Sequence, residues 1–206
     1  MDNFKITTKN ELLEKLRAYS TTPDDDNIRI KEKIKSVLIN CPEILYALHN
    51  SELETELFNE DGSINNEGEW DRYFGENSNI RPVLIFPETQ TEVKNYLGYK
   101  VETKEIPKFN DTEKICQVTF VIYCHENDCI DKGTGIPRSD LIGSIIRERF
   151  NWTNYFGSQC KIVLDKEGTS DSHWVTRTIT FENKLPNSVV QTINGKTHVI
   201  NYRVRQ

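Results

Sequence analysis

No run of apolar residues in this chain approaches the 18 or so that a membrane-spanning helix needs, so no transmembrane anchor is expected. The opening stretch, MDNFKITTKNELLEKL, has no apolar core region and is patterned like a helix, which argues against a signal peptide. There are five cysteines, an odd number without a disulfide framework, which points to synthesis in a reducing, intracellular setting. No G-x-S-x-G elbow, Walker loop or Rossmann glycine pattern occurs, so the common nucleophile and nucleotide signatures are missing. Nor is there a basic stripe of the kind that tracks a phosphate backbone, which disfavours general nucleic-acid binding.

What is present is polar. Of 206 residues, 36% are apolar and 28% charged, enough for a modest core with much polar surface. The net charge of -6 is unevenly placed. Residues 51–80 hold nine acidic residues against one basic residue, Arg72, whereas residues 1–50 balance and residues 81–206 are slightly basic. An acidic segment on a near-neutral body suits a contact or repulsion device. The chain accordingly divides into a helical front at 1–50, an acidic arm at 51–80, and an α+β unit at 81–206 that ends in a hairpin.

Periodicity supplies the elements. Thr8 and Glu11 form a capping box for a helix over 8–19 with Leu12, Leu13 and Leu16 on one face. Asp24, Asp25 and Asp26 suit the start of a helix over 24–39, and Pro42 opens a third, PEILYALHN. In the acidic arm, Asp61-Gly62 signals a turn, and Trp70, Tyr73 and Phe74 have the spacing of an anchoring helical turn; a solvated loop is the alternative. VLIF (83–86), 95–106 and 114–125 read as strands, the last with Cys116, Val118, Phe120, Ile122 and Cys124 on one face. Residues 137–150 form an amphipathic helix, residues 158–170 and 172–183 two more strands, and Asn194-Gly195 the turn of a terminal hairpin. The fold expected is α+β: a twisted, mostly antiparallel sheet covered on one face by the 137–150 helix.

Candidate chemistry is sparse. CHENDC (124–129) looks like a ligand set, yet structural zinc needs a second ligand pair, and no H-x₃₋₅-H or partner cysteine pair follows. Cys124 reads as a small buried hydrophobe at a strand end, and His125 to Asp128 as the start of a solvated loop whose role, if any, is to touch a neighbouring subunit. Gly133-Thr-Gly135 is a weak phosphate-cradle signal. Asp165, Glu167, Asp171 and His173 could form a metal-nuclease cluster, but Asp165 to Asp171 also read as an ordinary turn between strands. No metal and no cofactor is expected. RFNWTNYFG (149–157) follows the helix with Phe150, Trp152, Tyr155 and Phe156 between charged residues, a composition typical of interfaces. The same aromatics could instead close the core beneath the helix.

The order "RPVLIF", then "QVTFVIYCH", "RSDLIGSIIRERF" and "WVTRTITFE" resembles the tail-terminator and neck (head–tail connector) proteins of tailed bacteriophages over roughly residues 80–185. The resemblance implies a non-enzymatic α+β subunit of a virion ring, a hexamer or larger, made in the host cytoplasm. Such a ring sits between the head connector on the portal side and the tail tube, and genome DNA passes through it without specific binding. Those subunits are usually shorter, so the 1–50 helices, the acidic arm and the 188–204 hairpin are departures. On this view Arg138, Asp140, Arg147, Arg149, Trp152 and Tyr155 contact the neighbouring subunit. Glu52, Glu54, Glu56, Glu60 and Asp61 line a lumen or meet a partner. The rival readings are a small metal-dependent nuclease or hydrolase and a monomeric accessory or anti-defence protein whose acidic surface mimics DNA.

Overall fold

The computed structural model describes residues 8–18, 26–75, 78–84, 93–110, 112–170, 173–187, 189–191 and 197–199. Among the described residues, five helices, α1 (Lys9–Ala18), α2 (Asp26–Ile39), α3 (Pro42–Leu48), α4 (Glu54–Leu57) and α5 (Arg138–Phe150), accompany seven strands. The strands are β1 (Ile80–Arg81), β2 (Tyr96–Glu105), β3 (Glu113–His125), β4 (Lys161–Ser170), β5 (Trp174–Pro186), β6 (Val189–Gln191) and β7 (Thr197–Val199). The main sheet has the order β1-β2-β3-β5-β4 and is antiparallel except for β1 against β2. The α+β class expected from the sequence is what forms.

β3 organises the sheet. Its alternate residues Cys116, Val118, Phe120, Ile122 and Cys124 are all buried, as a period of two on one covered face requires. α5 closes that face with Ile142, Ile146 and Phe150, and α2 adds Ile30, Ile34 and Leu38. Polar contacts pin α2 to the body. Lys114 at the start of β3 reaches buried Asp26 at 3.0 Å, Lys31 donates to the Pro82 carbonyl at 2.8 Å, and the Tyr99 hydroxyl donates to the Lys31 carbonyl at 3.2 Å. Asp24 and Asp25 lie outside the described residues.

One core runs through the front helices, the acidic segment and the sheet, because Leu53, Leu57 and Tyr73 join the cluster that contains Phe120 and Phe181. The acidic segment, expected as an exposed arm, is therefore folded onto the body. It doubles back through a Phe58–Ile64 bridge turned at Gly62 (φ 80°), where the Asp61-Gly62 signal placed a turn. A 3-10 turn at Trp70–Tyr73 then anchors it, with the Trp70 indole donating to the Glu56 carbonyl at 2.9 Å. α1 differs from the neighbouring helix α2 in how little of it is covered. Its Thr8/Glu11 box closes as expected, with both bonds at 3.2 Å, yet none of its residues is buried.

Several strand boundaries differ from expectation, two of them with a clear cause. The strand placed at VLIF instead ends at Arg81, because Pro82 has no N–H to continue a ladder. Val83 is exposed, and Ile85 and Phe86 lie outside the described residues. Gly98 allows this crossing: a Cβ there would come within 2.9 Å of the Val83 carbonyl. The supposed turn from Asp165 is strand as far as Ser170, which pairs with Trp174. β6 and β7 pair as a hairpin would, but Asn194-Gly195 lies outside the described residues.

Candidate functional site

Two neighbouring features, built by α3, α5 and the loops around them, are candidates for function: a buried polar seam and an exposed aromatic loop. The seam begins at CHENDC. Cys124 is buried at the end of β3, where burial pushes its thiol up to about 12 and keeps it inert. The following residues are not a free loop. Glu126–Asp128 form a 3-10 turn, and the Asp128 carboxylate is gripped by His49 Nδ1 at 2.7 Å and Asn95 Nδ2 at 2.8 Å.

Arg138, expected at a subunit contact, is only 3% exposed and lies inside this seam. Its Nη2 is 3.2 Å from Asp131 Oδ1 and its Nε 3.4 Å from Asp128 Oδ1, while Nη1 donates to the Ala47 carbonyl at 3.3 Å. A guanidinium on the last carbonyls of α3 meets the negative end of that helix. The physical reason for the correction is its position: Arg138 stands four residues before Ile142 and eight before Ile146, on the buried face of α5. Asp131 also collects the Thr134 N–H (2.8 Å) and hydroxyl (2.7 Å) and the Tyr46 hydroxyl (3.1 Å). Burial pushes its carboxyl upward, but these donors and Arg138 outweigh that and hold it below the usual carboxylate range. The Gly133-Thr-Gly135 loop thus wraps a carboxylate of its own chain, which leaves its donors occupied rather than poised for phosphate.

The outer face of α5 carries the second charge group. Arg177 on β5 forks onto Asp165, with Nε to Oδ1 at 2.7 Å and Nη2 to Oδ2 at 2.9 Å, and it also pairs with Asp140. Arg147 reaches the same Asp165 carboxylate at 2.5 Å, and Arg149 reaches Glu43 at 3.3 Å. Of the residues expected to face a neighbour, Asp140, Arg147 and Arg149 are therefore engaged within the chain. Asp165, expected as a metal ligand in the nuclease reading, has two arginines where a cation would stand. It pairs with Ile179 in the ladder, six residues along the chain from His173, so at the rise of a strand His173 lies roughly 20 Å away. His173 instead meets Glu126 at 2.5 Å, Glu167 lies opposite Arg177, and Asp171 is outside the described residues. Among the described residues no group of three or more His, Cys, Asp and Glu side chains could hold a metal.

The Arg177 and Arg147 contacts hold the Asp165 carboxyl below the usual range. Its contribution to stability is accordingly full above the unfolded value of about 3.9 and is lost as pH falls through the lower folded value. Melting curves of Asp165→Asn and wild type are expected to differ at neutral pH and to converge on acidification. A gap that persists below that window would show that the carboxylate charge is not what matters.

The aromatic stretch splits. Phe150 and Phe156 are buried and stacked at 5.6 Å, so this pair closes the core. Trp152 is 63% exposed on a left-handed backbone (φ 61°), and Tyr155 is 45% exposed. A bulky side chain in that region is a strained arrangement held by its surroundings, here the Trp152 N–H to Cys160 carbonyl bond at 2.8 Å. Of the acidic candidates, Glu52, Glu54, Glu60 and Asp61 are exposed. Glu56 is not free, because it pairs with Arg72 at 2.6 Å and accepts from the Glu69 N–H at 3.0 Å.

One further feature was not foreseen. Between α3, α5 and the 58–64 hairpin lies an open groove of about 420 Å³, walled by Tyr46, Ala47, Phe58, Ile64, Leu141 and Ile145. Leu141 and Ile145 sit at the edge of the helix stripe read as core, and that edge position was the available signal.

The family model that matches the chain, over residues 42–183, is YomW. No curated protein and no solved structure matches. The matched span runs from α3 to within β5 and takes in the seam, the groove and the aromatic loop. YomW is the name of a Bacillus phage SPbeta-region protein family.

Proposed function

The chain belongs to the YomW family and is phage-related, and from that premise we propose that it is a non-enzymatic virion structural protein forming a ring at the head–tail junction. The observation that carries this reading is the Trp152–Tyr155 loop. Two exposed aromatics are held beside a rigid helix, one of them at a backbone conformation that a solvent-facing tryptophan has no local reason to adopt. Aromatics presented from a fixed frame are the residue type that anchors interfaces. The charges of α5 have a different role, locking the helix to the sheet so that the frame is stiff.

In this assembly a neighbouring subunit covers Trp152 and Tyr155. The exposed carboxylates Glu52, Glu54, Glu60 and Asp61 face the lumen or a basic partner, where negative charge keeps DNA from adhering. The ring is a hexamer or larger, joined to portal-side and tail-tube-side virion proteins. The nuclease reading is disfavoured by the two arginines on Asp165 and by its distance from His173. Native mass spectrometry and negative-stain microscopy of the purified full chain test the proposal. A closed ring is expected, alone or on adding a portal-side or tail-tube partner, and a strict monomer in every condition would sink it.

A further inference from the structure

Two exposed surfaces of opposite charge lie on opposite faces of the main sheet. The first is the tip of the 58–64 hairpin. Residues 59–64 are all exposed, and the turn carries Glu60 and Asp61 ahead of Gly62. Asp61 Oδ1 accepts from the Ser63 N–H at 2.9 Å and the Ser63 hydroxyl at 2.6 Å, which fixes the turn. Arg72, the one basic residue of the acidic segment, is held by Glu56. Among the described residues neither Glu60 nor Asp61 forms an ion pair. The hairpin packs through Phe58 and Ile64 near Tyr46 of α3 and Leu141 and Ile145 of α5, on the side of the sheet that α5 covers.

The second surface is an open pocket of about 520 Å³ beside the aromatic loop, with Trp152, Ile115, Gln159, Lys161, Glu182 and Lys184 in its walls. Phe181 and Leu185 point into the core, so Glu182 and Lys184 between and beside them point the other way. Lys161 and Ile115 lie directly opposite those two in the ladder and share their face. The pocket therefore opens on the sheet face turned away from α5. Glu182 is already matched, pairing with Lys104 and accepting from Gln117 at 3.0 Å. Lys161 and Lys184 are exposed and form no ion pair among the described residues. The result is a positive pocket with an exposed indole at its rim. The hairpin is anchored to the core through Leu57 on the other face, so its tip cannot enter the pocket of its own chain.

We propose that the Glu60–Asp61 tip of one copy enters the Trp152 pocket of the next copy, where its carboxylates meet Lys161 and Lys184 beside the indole. Charge complementarity selects the occupant: the tip is an unpaired acidic surface and the pocket an unpaired basic one, and each copy carries both. This deepens the ring reading above and rests on it, because one surface meeting a different surface on the next copy is the head-to-tail contact that closes rings.

The test reverses charges in the full chain and reads assembly by native mass spectrometry, in the condition where wild type assembles. Lys161→Glu with Lys184→Glu, and separately Glu60→Lys with Asp61→Lys, should each raise the concentration for half-assembly at least about tenfold, since like charges then face each other. All four positions are exposed, so melting temperatures should stay close to wild type. Mixing the two variants, or combining all four substitutions in one chain, puts opposite charges back at every contact and should restore assembly. Restoration by the swap supports the seat. Reversed variants that assemble like wild type overturn it and leave the ring reading standing. A loss in both variants that the swap does not restore also overturns it, because the two surfaces then answer to different partners. Dimers or open chains that reversal abolishes and the swap restores support the seat and remove the ring. A wild type that is monomeric in every condition overturns both. A fluorescent oligothymidine that wild type binds and the lysine variant does not, with assembly unchanged, assigns the pocket to nucleic acid and overturns the seat.

Discussion

Exchanging Arg138 for methionine is expected to lower the stability of the fold by about 3–5 kcal/mol, since removing one partner leaves buried charge uncompensated. The side chain is almost fully buried and faces two carboxylates, Asp131 and Asp128, that have no other arginine or lysine against them among the ion pairs of the described residues. Methionine keeps the volume and the apolar stem, so the loss measures the charge and its hydrogen bonds rather than a cavity. It also frees the last carbonyls of α3, which the guanidinium holds against the start of α5. For a chain of this length the change corresponds to a fall in melting temperature of roughly 6–20 °C. Urea unfolding checks it, and a double-mutant cycle with Asp131→Asn isolates the pair: the second substitution should recover part of the loss. A loss below about 1 kcal/mol would place Arg138 among surface ion pairs and contradict its burial.

The seam also shows where a sequence stops being readable. β3 was legible because one covered face imposes a strict period of two, and Cys116 through Cys124 obey it. The Thr8/Glu11 box and the Asp61-Gly62 turn were legible because their chemistry is local, closing within three residues. The fate of Arg138 was not, although its place on the Ile142–Ile146 face was a usable hint. A charged residue is normally a surface residue, and what reverses that here comes from carboxylates and α3 carbonyls brought together only by the fold. The same holds for Asn50, Asn79 and Asn95, a buried chain of amides spanning three separate segments with bonds of 2.7 and 2.8 Å. No periodicity announces such a network. The aromatic stretch was ambiguous for a related reason: Phe150 and Phe156 meet by a stack across a loop, so their spacing matches neither helix nor strand.

That stack makes Phe150 the second residue whose loss should be felt most. Its ring lies fully buried, 5.2 Å from Phe120 on β3 and 5.6 Å from Phe156, and it meets Phe181 of β5 and Tyr155 edge-on or tilted. One side chain thus joins the sheet, the end of α5 and the loop that presents Trp152 and Tyr155. Phe150→Ala removes the ring and leaves a cavity, at an expected cost of about 3–5 kcal/mol, whereas Phe150→Leu should lose less. The loop should also loosen, so the assembled fraction is expected to fall even where the fold survives. The contrast is Trp152→Gly. Glycine accepts the left-handed backbone that tryptophan occupies under strain, so this variant should melt at or above the wild-type temperature while assembling less well. Stability lost at Phe150 and assembly lost at Trp152 would separate the frame from the contact it holds. If Trp152→Gly instead assembles as wild type does, the exposed indole is not the anchor and the neighbour must be held elsewhere.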